Sequence, residues 1–300
     1  MVQESTKSPQ IQILTSSAWK DYELLDSGNG RKLERFGQII LDRPEAEAFW
    51  SSSLPSGEWK TAHASFQVTP EENGGHWIER KPLPKRWMIE YRNLKFWVQT
   101  SASRHVGVFP EQASQWDWIQ DVIRRSENPL RVLNLFGYTG LASLAALSAG
   151  ANVTHLDAAK KIVSWAKDNQ IASNLTHCPI RWIVDDAMKF VERENRRGNS
   201  YDAIILDPPK FGRGPKGEVW EFYKIIPDLL EGCRKLLSVK PRFFLLTAYA
   251  VKTSAITLYN AVEELMKNYS GETSAGEVAL CEKSAQRLLS MAVYARWKYN

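Results

Sequence analysis

From Glu111 to the end of the chain, apolar runs of strand length alternate with stretches of helical spacing, and the runs stop at an acid or a glycine turn. Leu130 to Phe136 runs into Gly137-Tyr138-Thr139-Gly140. Val153 to Leu156 stops at Asp157, Arg181 to Val184 at Asp185-Asp186, and Tyr201 to Leu206 at Asp207. Strands this uniformly apolar are buried on both faces, and alternation with helices calls for a parallel sheet covered by helices on each side. Ligands of such sheets sit beyond the carboxyl ends of the strands, where the glycine turn and all the conspicuous acids fall. The pattern continues with a helical apolar series from Phe222 to Leu237, in which Pro227 is expected to mark a kink or a new start. Arg242 to Thr247 reads as a fifth strand and Thr253 to Asn268 as a helix. Glu277 to Cys281 with Leu288 to Arg296 reads as a closing antiparallel pair.

The first hundred residues have another character. Eight of the twelve tryptophans (Trp19, Trp50, Trp59, Trp77, Trp87, Trp97, Trp116 and Trp118) lie in the first 118 residues. Short β-like pieces are broken by turn residues there, and Trp87 to Tyr91 pairs with Leu94 to Val98 across Arg92-Asn93 as a hairpin. Glu45 to Trp50 is expected to form a short helix. Three hundred residues suit two cores better than one. The expected division is a flexible N-terminus over 1–18, a small β-rich domain over 19–110 and an α/β domain over 111–300.

Composition excludes several classes. Apolar residues make up 43% of the chain, and no window approaches the ~18 uninterrupted apolar residues of a membrane helix. Met1 to Gln10 is polar, so the cytoplasm is the expected location and a membrane is not an expected partner. Cys178, Cys233 and Cys281 are far apart and lack metal-ligand spacing, so reduced thiols and no metal are expected. The formal charge of +5 permits a polyanionic partner without demanding one.

Gly137-Tyr138-Thr139-Gly140 lets backbone pass close to a ligand, while the next helix points its N–H groups at an anion. An unliganded strand-to-helix turn has the same sequence. Asp157, 17 positions after Gly140, is placed to accept both hydroxyls of a ribose. These two features would also suit a nicotinamide dinucleotide, but the three-glycine fingerprint is absent and Phe136 and Tyr138 would crowd a pyrophosphate. Asp186 with Ala187 fits a carboxylate receiving an adenine amino group beside apolar surface, and equally an N-cap of the following helix. Asp207-Pro208-Pro209-Lys210-Phe211 delivers a fixed carboxylate and rigid carbonyls to the sheet rim. There Asp207 and the Pro208 carbonyl can orient a planar amine; an acid followed by two prolines also simply stiffens a loop.

The residues from Val132 to Gly150 and from Asp202 to Gly214 resemble those of class I S-adenosylmethionine-dependent methyltransferases. In particular they resemble the bacterial large-subunit ribosomal RNA methyltransferase group that carries Asp-Pro-Pro-x-Phe. His105 to Gln112 is similar to this group's lead-in to the cofactor pocket. The resemblance implies a Rossmann-like, seven-stranded, mostly parallel methyltransferase sheet with a smaller β-rich N-terminal domain. It implies S-adenosylmethionine as cofactor, held by Phe109, Gln112, Phe136, Gly137, Tyr138, Thr139, Gly140, Asp157, Ala158, Asp186 and Ala187. Asp207, Pro208 and Pro209 would be catalytic, with Lys210, Phe211, Arg213 and Tyr249 holding substrate. The implied partner is RNA, in particular ribosomal RNA. One departure matters: relatives that methylate cytosine at C5 carry a cysteine in the Asp207-type motif or after the fifth strand, where this chain has Lys210 and Tyr249. A base nitrogen is therefore the expected acceptor. A small-molecule or protein acceptor, and a non-catalytic RNA-binding assembly factor, remain the alternatives.

Overall fold

A computed structural model describes residues 9–16, 18–69 and 74–300. The chain begins with β1 (Ile11–Leu14), followed by β2 (Tyr22–Gly28), β3 (Arg31–Phe36), β4 (Ile39–Pro44), the one-turn α1 (Ser56–Trp59), β5 (Ala64–Val68) and β6 (Gly75–Glu79). The expected hairpin follows as β7 (Trp87–Tyr91) and β8 (Leu94–Val98), and a 3-10 turn at Pro110–Gln112 leads into α2 (Ala113–Arg124). The alternating part comprises β9 (Arg131–Leu135), α3 (Leu141–Ser148), β10 (Asn152–Asp157), α4 (Lys160–Ala172), β11 (Ile180–Val184), α5 (Ala187–Arg196) and β12 (Ala203–Leu206). A small hairpin, β13 (Phe211–Arg213) with β14 (Val219–Glu221), precedes α6 (Phe222–Leu236), β15 (Phe243–Ala248), α7 (Ala255–Met266), β16 (Gly271–Cys281) and β17 (Leu288–Tyr299).

The main sheet has eight strands in the order β1-β16-β17-β15-β12-β9-β10-β11. Strands β9 to β12 and β15 are mutually parallel, and β17 runs antiparallel between β15 and β16. Seven of these strands make up the expected methyltransferase sheet. The eighth, β1, pairs in parallel with β16 and comes from the stretch read as a flexible N-terminus; residues 1–8 and 17 of that stretch lie outside the described residues. A second sheet, in the order β2-β3-β4-β5-β6, forms the β-rich N-terminal part.

The two parts share a core. Val132, Ala203, Ile205, Phe243 and Leu245 on one face of the main sheet join Tyr22, Phe36, Tyr91, Phe96 and Trp116 in a single buried cluster. The alternate residues of the same strands, Leu133, Leu135, Ile204, Leu206, Phe244 and Leu246, face α5, α6 and α7 in the other cluster. Because successive strand side chains point to opposite faces, both layers must be apolar, which is why these strands read as unbroken hydrophobic runs.

Two local expectations are revised, and one strand is of a kind that periodicity does not register. Glu45 to Trp50 is not helical: the carbonyls of Ala48 and Trp50 accept the Gly30 and Asn29 amides of the β2–β3 turn, so the segment's backbone is committed to that hairpin. Pro227 neither ends nor restarts a helix, since α6 runs through it; near the amino end a proline removes one intrahelical bond and the apolar face carries the rest. Strand β3 is buried although it reads Arg-Lys-Leu-Glu-Arg-Phe, because Arg43 on β4 makes a forked pair with Glu34 and Lys32 reaches Glu45 at 3.1 Å.

Candidate active site

Register sets the site. Leu246 pairs with Leu206, Leu206 with Leu135 and Leu135 with Leu156, so one row of leucines crosses four parallel strands. The next residues, Thr247, Asp207, Phe136 and Asp157, therefore emerge side by side, about 4.8 Å apart from strand to strand. The chain leaves β9 toward β10 and β11 and returns to β12 on the other side, so the crevice between β9 and β12 is the switch point where α/β sheets bind ligands. Gly137 follows β9 and Asp207 follows β12.

The bend after β9 is tightly wound. Phe136, Tyr138 and Gly140 all have left-handed φ, at 59°, 48° and 89°. Gly137 lies over the imidazole of His155, and a Cβ there would fall 2.4 Å from Cε1 of that ring. The Tyr138 amide donates to Oδ2 of Asp157 and the Ala159 amide to Oδ1, both at 2.9 Å. Thr139 turns its hydroxyl inward to the Gly107 carbonyl, tying the bend to the lead-in segment. The amides of Thr139, Leu141 and Ala142 have no hydrogen-bond partner among the described residues, and all three residues help to line one cavity.

That cavity also takes in Phe109, Gln112, Gly137, Tyr138, Asp207 and Thr247. Phe109 lies between the rings of Tyr138 and Tyr249, with centroids 5.4 and 5.1 Å away. Gln112 donates to Oδ2 of Asp207 at 3.4 Å, whereas Oδ1 of Asp207 is buried without a partner. Burial, and then the charge of nearby Glu111, push the Asp207 carboxyl up to about 8. The buried carboxyl therefore favours its protonated form. The Pro208 carbonyl accepts no hydrogen bond among the described residues, while the Pro209 carbonyl is taken by the Trp220 indole.

The expected residues divide into three groups. Phe109, Gln112, Phe136, Gly137, Tyr138, Thr139 and Asp207 line one cavity, and Asp157, with Ala158 beside it, joins them through the Tyr138 amide. Asp186 caps α5 by accepting the Lys189 amide at 3.0 Å, and Ala187 is buried against the sheet face opposite the N-terminal part. Lys210, Phe211 and Arg213 stand outside the cavity on the β13–β14 hairpin, with Phe211 55% exposed. Sequence reasoning missed Asn134 and Thr247, which line the cavity from strand interiors and carried no motif. It also missed Glu111, which lies inside the lead-in segment and was legible only as its neighbour.

The chain belongs to the S-adenosylmethionine-dependent methyltransferase family. The family profile matches residues 22–255. A structure described as the S-adenosylmethionine-dependent methyltransferase from Agrobacterium tumefaciens is 43% identical, with a TM-score of 0.91, over 96% of this chain and 94% of that one. The ribosomal RNA large subunit methyltransferase K/L of Hahella chejuensis is 33% identical over 156 residues, 51% of this chain and 21% of the relative. The ribosomal RNA large subunit methyltransferase I of Shigella dysenteriae is 30% identical over 124 residues, 41% of this chain and 30% of that protein. The matches thus span less than a third of either curated relative.

The residues present fit the cofactor. The unpaired amides of Thr139, Leu141 and Ala142, around the start of α3, could serve as donors for the carboxylate of its methionine end. Asp157, held by the Tyr138 and Ala159 amides, could still offer a lone pair to a ribose hydroxyl.

Proposed function

We propose that this methyltransferase acts on RNA, on a base nitrogen of ribosomal RNA, in the cytoplasm. The observation that carries the acceptor assignment is the unpartnered, buried Oδ1 of Asp207 beside the free Pro208 carbonyl, at the switch point and next to the Gly137 bend. Two acceptors fixed on a rigid Asp-Pro-Pro turn suit a planar amine, whose N–H groups they would orient. A donor bound there favours the carboxylate form of Asp207 and draws it down from its elevated value. Bound S-adenosylmethionine supplies an electrophilic methyl group on a positively charged sulfur. The chain's part is to align the nitrogen and exclude water; Phe109 and Tyr138 wall the cavity with aromatic surface, and Tyr249 packs against Phe109. None of the three cysteines lines the cavity: Cys233 is buried in the α6 core, Cys178 precedes β11 at the opposite end of the sheet, and Cys281 is exposed at the end of β16. No thiolate is therefore placed to activate a pyrimidine ring, which favours nitrogen over carbon.

RNA as the substrate is supported by the relatives' names and by the β13–β14 hairpin. Its inward residue Trp220 packs on Phe136 at 4.8 Å and holds Pro209, while Phe211, Arg213 and Val219 are exposed. An outward aromatic with Lys210 and Arg213 suits a base stacked above a phosphate. In this reading Asp157 and Ala158 hold the ribose, Asp186 and Ala187 border the adenine, and 19–110 and 111–300 act as two domains with a shared core. The deciding experiment is transfer of labelled methyl from S-adenosylmethionine to ribosomal RNA taken from cells lacking the protein, followed by nucleoside mass spectrometry. A methylated base that disappears in those cells supports the reading; label found only on protein or small molecules ends it.

A further inference from the structure

Hairpin β7–β8 forms a sheet of two strands, so the outer edge of β8 has no strand beside it. Such an edge presents N–H and C=O groups that need partners, and α4 supplies them from its side chains. Trp165, Asn169 and Ser173 stand four residues apart and share one face of the helix and its carboxyl end. The Ser173 hydroxyl accepts the Lys95 amide at 3.1 Å and donates to the Lys95 carbonyl at 2.8 Å. Oδ1 of Asn169 accepts the Trp97 amide at 2.8 Å, and the Trp165 indole donates to the Trp97 carbonyl at 3.0 Å. The outward backbone groups of Lys95 and Trp97 are thus all engaged by a helix.

Asn169 does more than the other two. It is fully buried, and its Nδ2 donates to the Thr139 carbonyl at 3.0 Å. That carbonyl lies just ahead of α3, and no backbone amide among the described residues reaches it; the Leu144 amide goes to the Gly140 carbonyl instead. It belongs to the peptide joining Thr139 to Gly140, between the unpaired amides of Thr139 and Leu141. Fixing the plane of this peptide fixes the directions of the amides on either side of it, because the peptide unit is rigid. The contacts close into a ring. The Thr139 hydroxyl donates to the Gly107 carbonyl at 2.6 Å. Gly107, with φ at 97°, lies so close to the Trp165 ring that a Cβ would collide with it, and Trp165 leads back to Trp97.

We propose that Asn169 is a positioning residue for cofactor binding, which sets the bend after β9 through the Thr139 carbonyl and is itself set by the β7–β8 hairpin. The inference rests on the reading in which the amides around the start of α3 hold the methionine end of S-adenosylmethionine. Asn169 touches no ligand; its effect reaches the cofactor through the bend. An amide side chain suits the place because it carries an acceptor and a donor in one plane, and so spans a strand-edge N–H on one side and a bend carbonyl on the other. Its two partners also fix which end faces which, since the Trp97 amide can only donate and the Thr139 carbonyl can only accept. The N-terminal part thereby gains a share in cofactor binding, beyond its packing.

The test is calorimetry on the full chain with two ligands: S-adenosylhomocysteine, and 5′-methylthioadenosine, which keeps the adenosine and the sulfur but lacks the amino-acid end. The parent is expected to prefer S-adenosylhomocysteine by about tenfold or more. Asn169→Ala is expected to weaken S-adenosylhomocysteine about tenfold and methylthioadenosine by less than about threefold, so that the preference narrows. Ser173→Ala loosens the same strand edge without reaching the bend; it is expected to lower Tm and to keep the parent's preference. An unchanged preference in Asn169→Ala overturns the proposal, and so does an equal narrowing in Ser173→Ala, which would make the effect one of hairpin docking. Should Asn169→Ala fail to fold, Asn169→Ser carries the same comparison, and an unmoved preference there overturns it too. A parent that binds both ligands alike removes the methionine-end reading, and the inference with it. These affinities are read without RNA, so their outcome is separate from that of the acceptor assignment.

Discussion

The Tyr138 amide donates to Oδ2 of Asp157 at 2.9 Å, fastening the bend after β9 to the end of β10. One carboxylate thus shapes the loop, and in the proposed reading it also receives the cofactor's ribose. Asp157→Ala removes both roles, and affinity for S-adenosylhomocysteine is expected to fall at least about tenfold, some 1.4 kcal/mol. Asp157→Asn keeps one acceptor oxygen and falls between. Isothermal calorimetry measures this, and an unchanged affinity in Asp157→Ala would take the ribose away from this residue.

In the proposed reading Asp207 acts on the acceptor side. Asp207→Ala is expected to leave S-adenosylhomocysteine binding within about twofold while lowering turnover on the order of a hundredfold or more. Calorimetry paired with single-turnover methyl transfer separates the two effects. Near-parent turnover would remove Asp207 from the mechanism.

The same residue sets a pH dependence of stability. Its folded carboxyl, at about 8, lies above its unfolded value, so the native state holds a proton that the unfolded state has released. Its contribution is present in full below the unfolded value and is lost as pH rises toward about 8. Asp207→Asn lacks this loss, so its Tm is expected to gain on the parent's progressively from about pH 4 to pH 8, with no further relative change below that window. Parallel melting curves of both proteins across that window would show it, and a constant offset would contradict it.

Gly137 has no room for a side chain, because His155 occupies the space a Cβ would need. His155 is itself fixed by Ser143 at 2.9 Å, and Ser143 by Asn134 at 2.9 Å, so the ring cannot swing away cheaply. Gly137→Ala is expected to cost about 1–3 kcal/mol and to weaken cofactor binding, as read by urea denaturation and calorimetry. A variant of parent stability would show that the ring yields.

Exposed residues of the β13–β14 hairpin should matter for RNA alone. Phe211→Ala combined with Arg213→Ala is expected to weaken ribosomal RNA binding about tenfold or more and to flatten its salt dependence by about one counterion. Cofactor binding stays unchanged. Filter binding at several salt concentrations tests this, and undiminished affinity would move the RNA path elsewhere.

Much of this protein was legible in its residue pattern. Strands such as Arg131–Leu135 and Ala203–Leu206 declare themselves because burial on two faces forces unbroken apolar runs, and their ends are marked by Gly137, Asp157 and Asp207. Strand β3 was hidden because its stability comes from ion pairs with Arg43 and Glu45, partners that hydrophobic periodicity does not register. The segment 45–50 misled because its backbone bonds go to Gly30 and Asn29, a choice made across the fold.

Local sequence by itself determined the alternation, the bend and the Asp-Pro-Pro turn, since each follows from backbone sterics and side-chain polarity within a few residues. Only the tertiary structure decided that β9 and β12 lie side by side, that Gln112 reaches Asp207, and that an acid on a strand end is buried with one oxygen unpartnered. Those depend on burial and on charges brought together from distant parts of the chain, and neither exists until the sheet has closed.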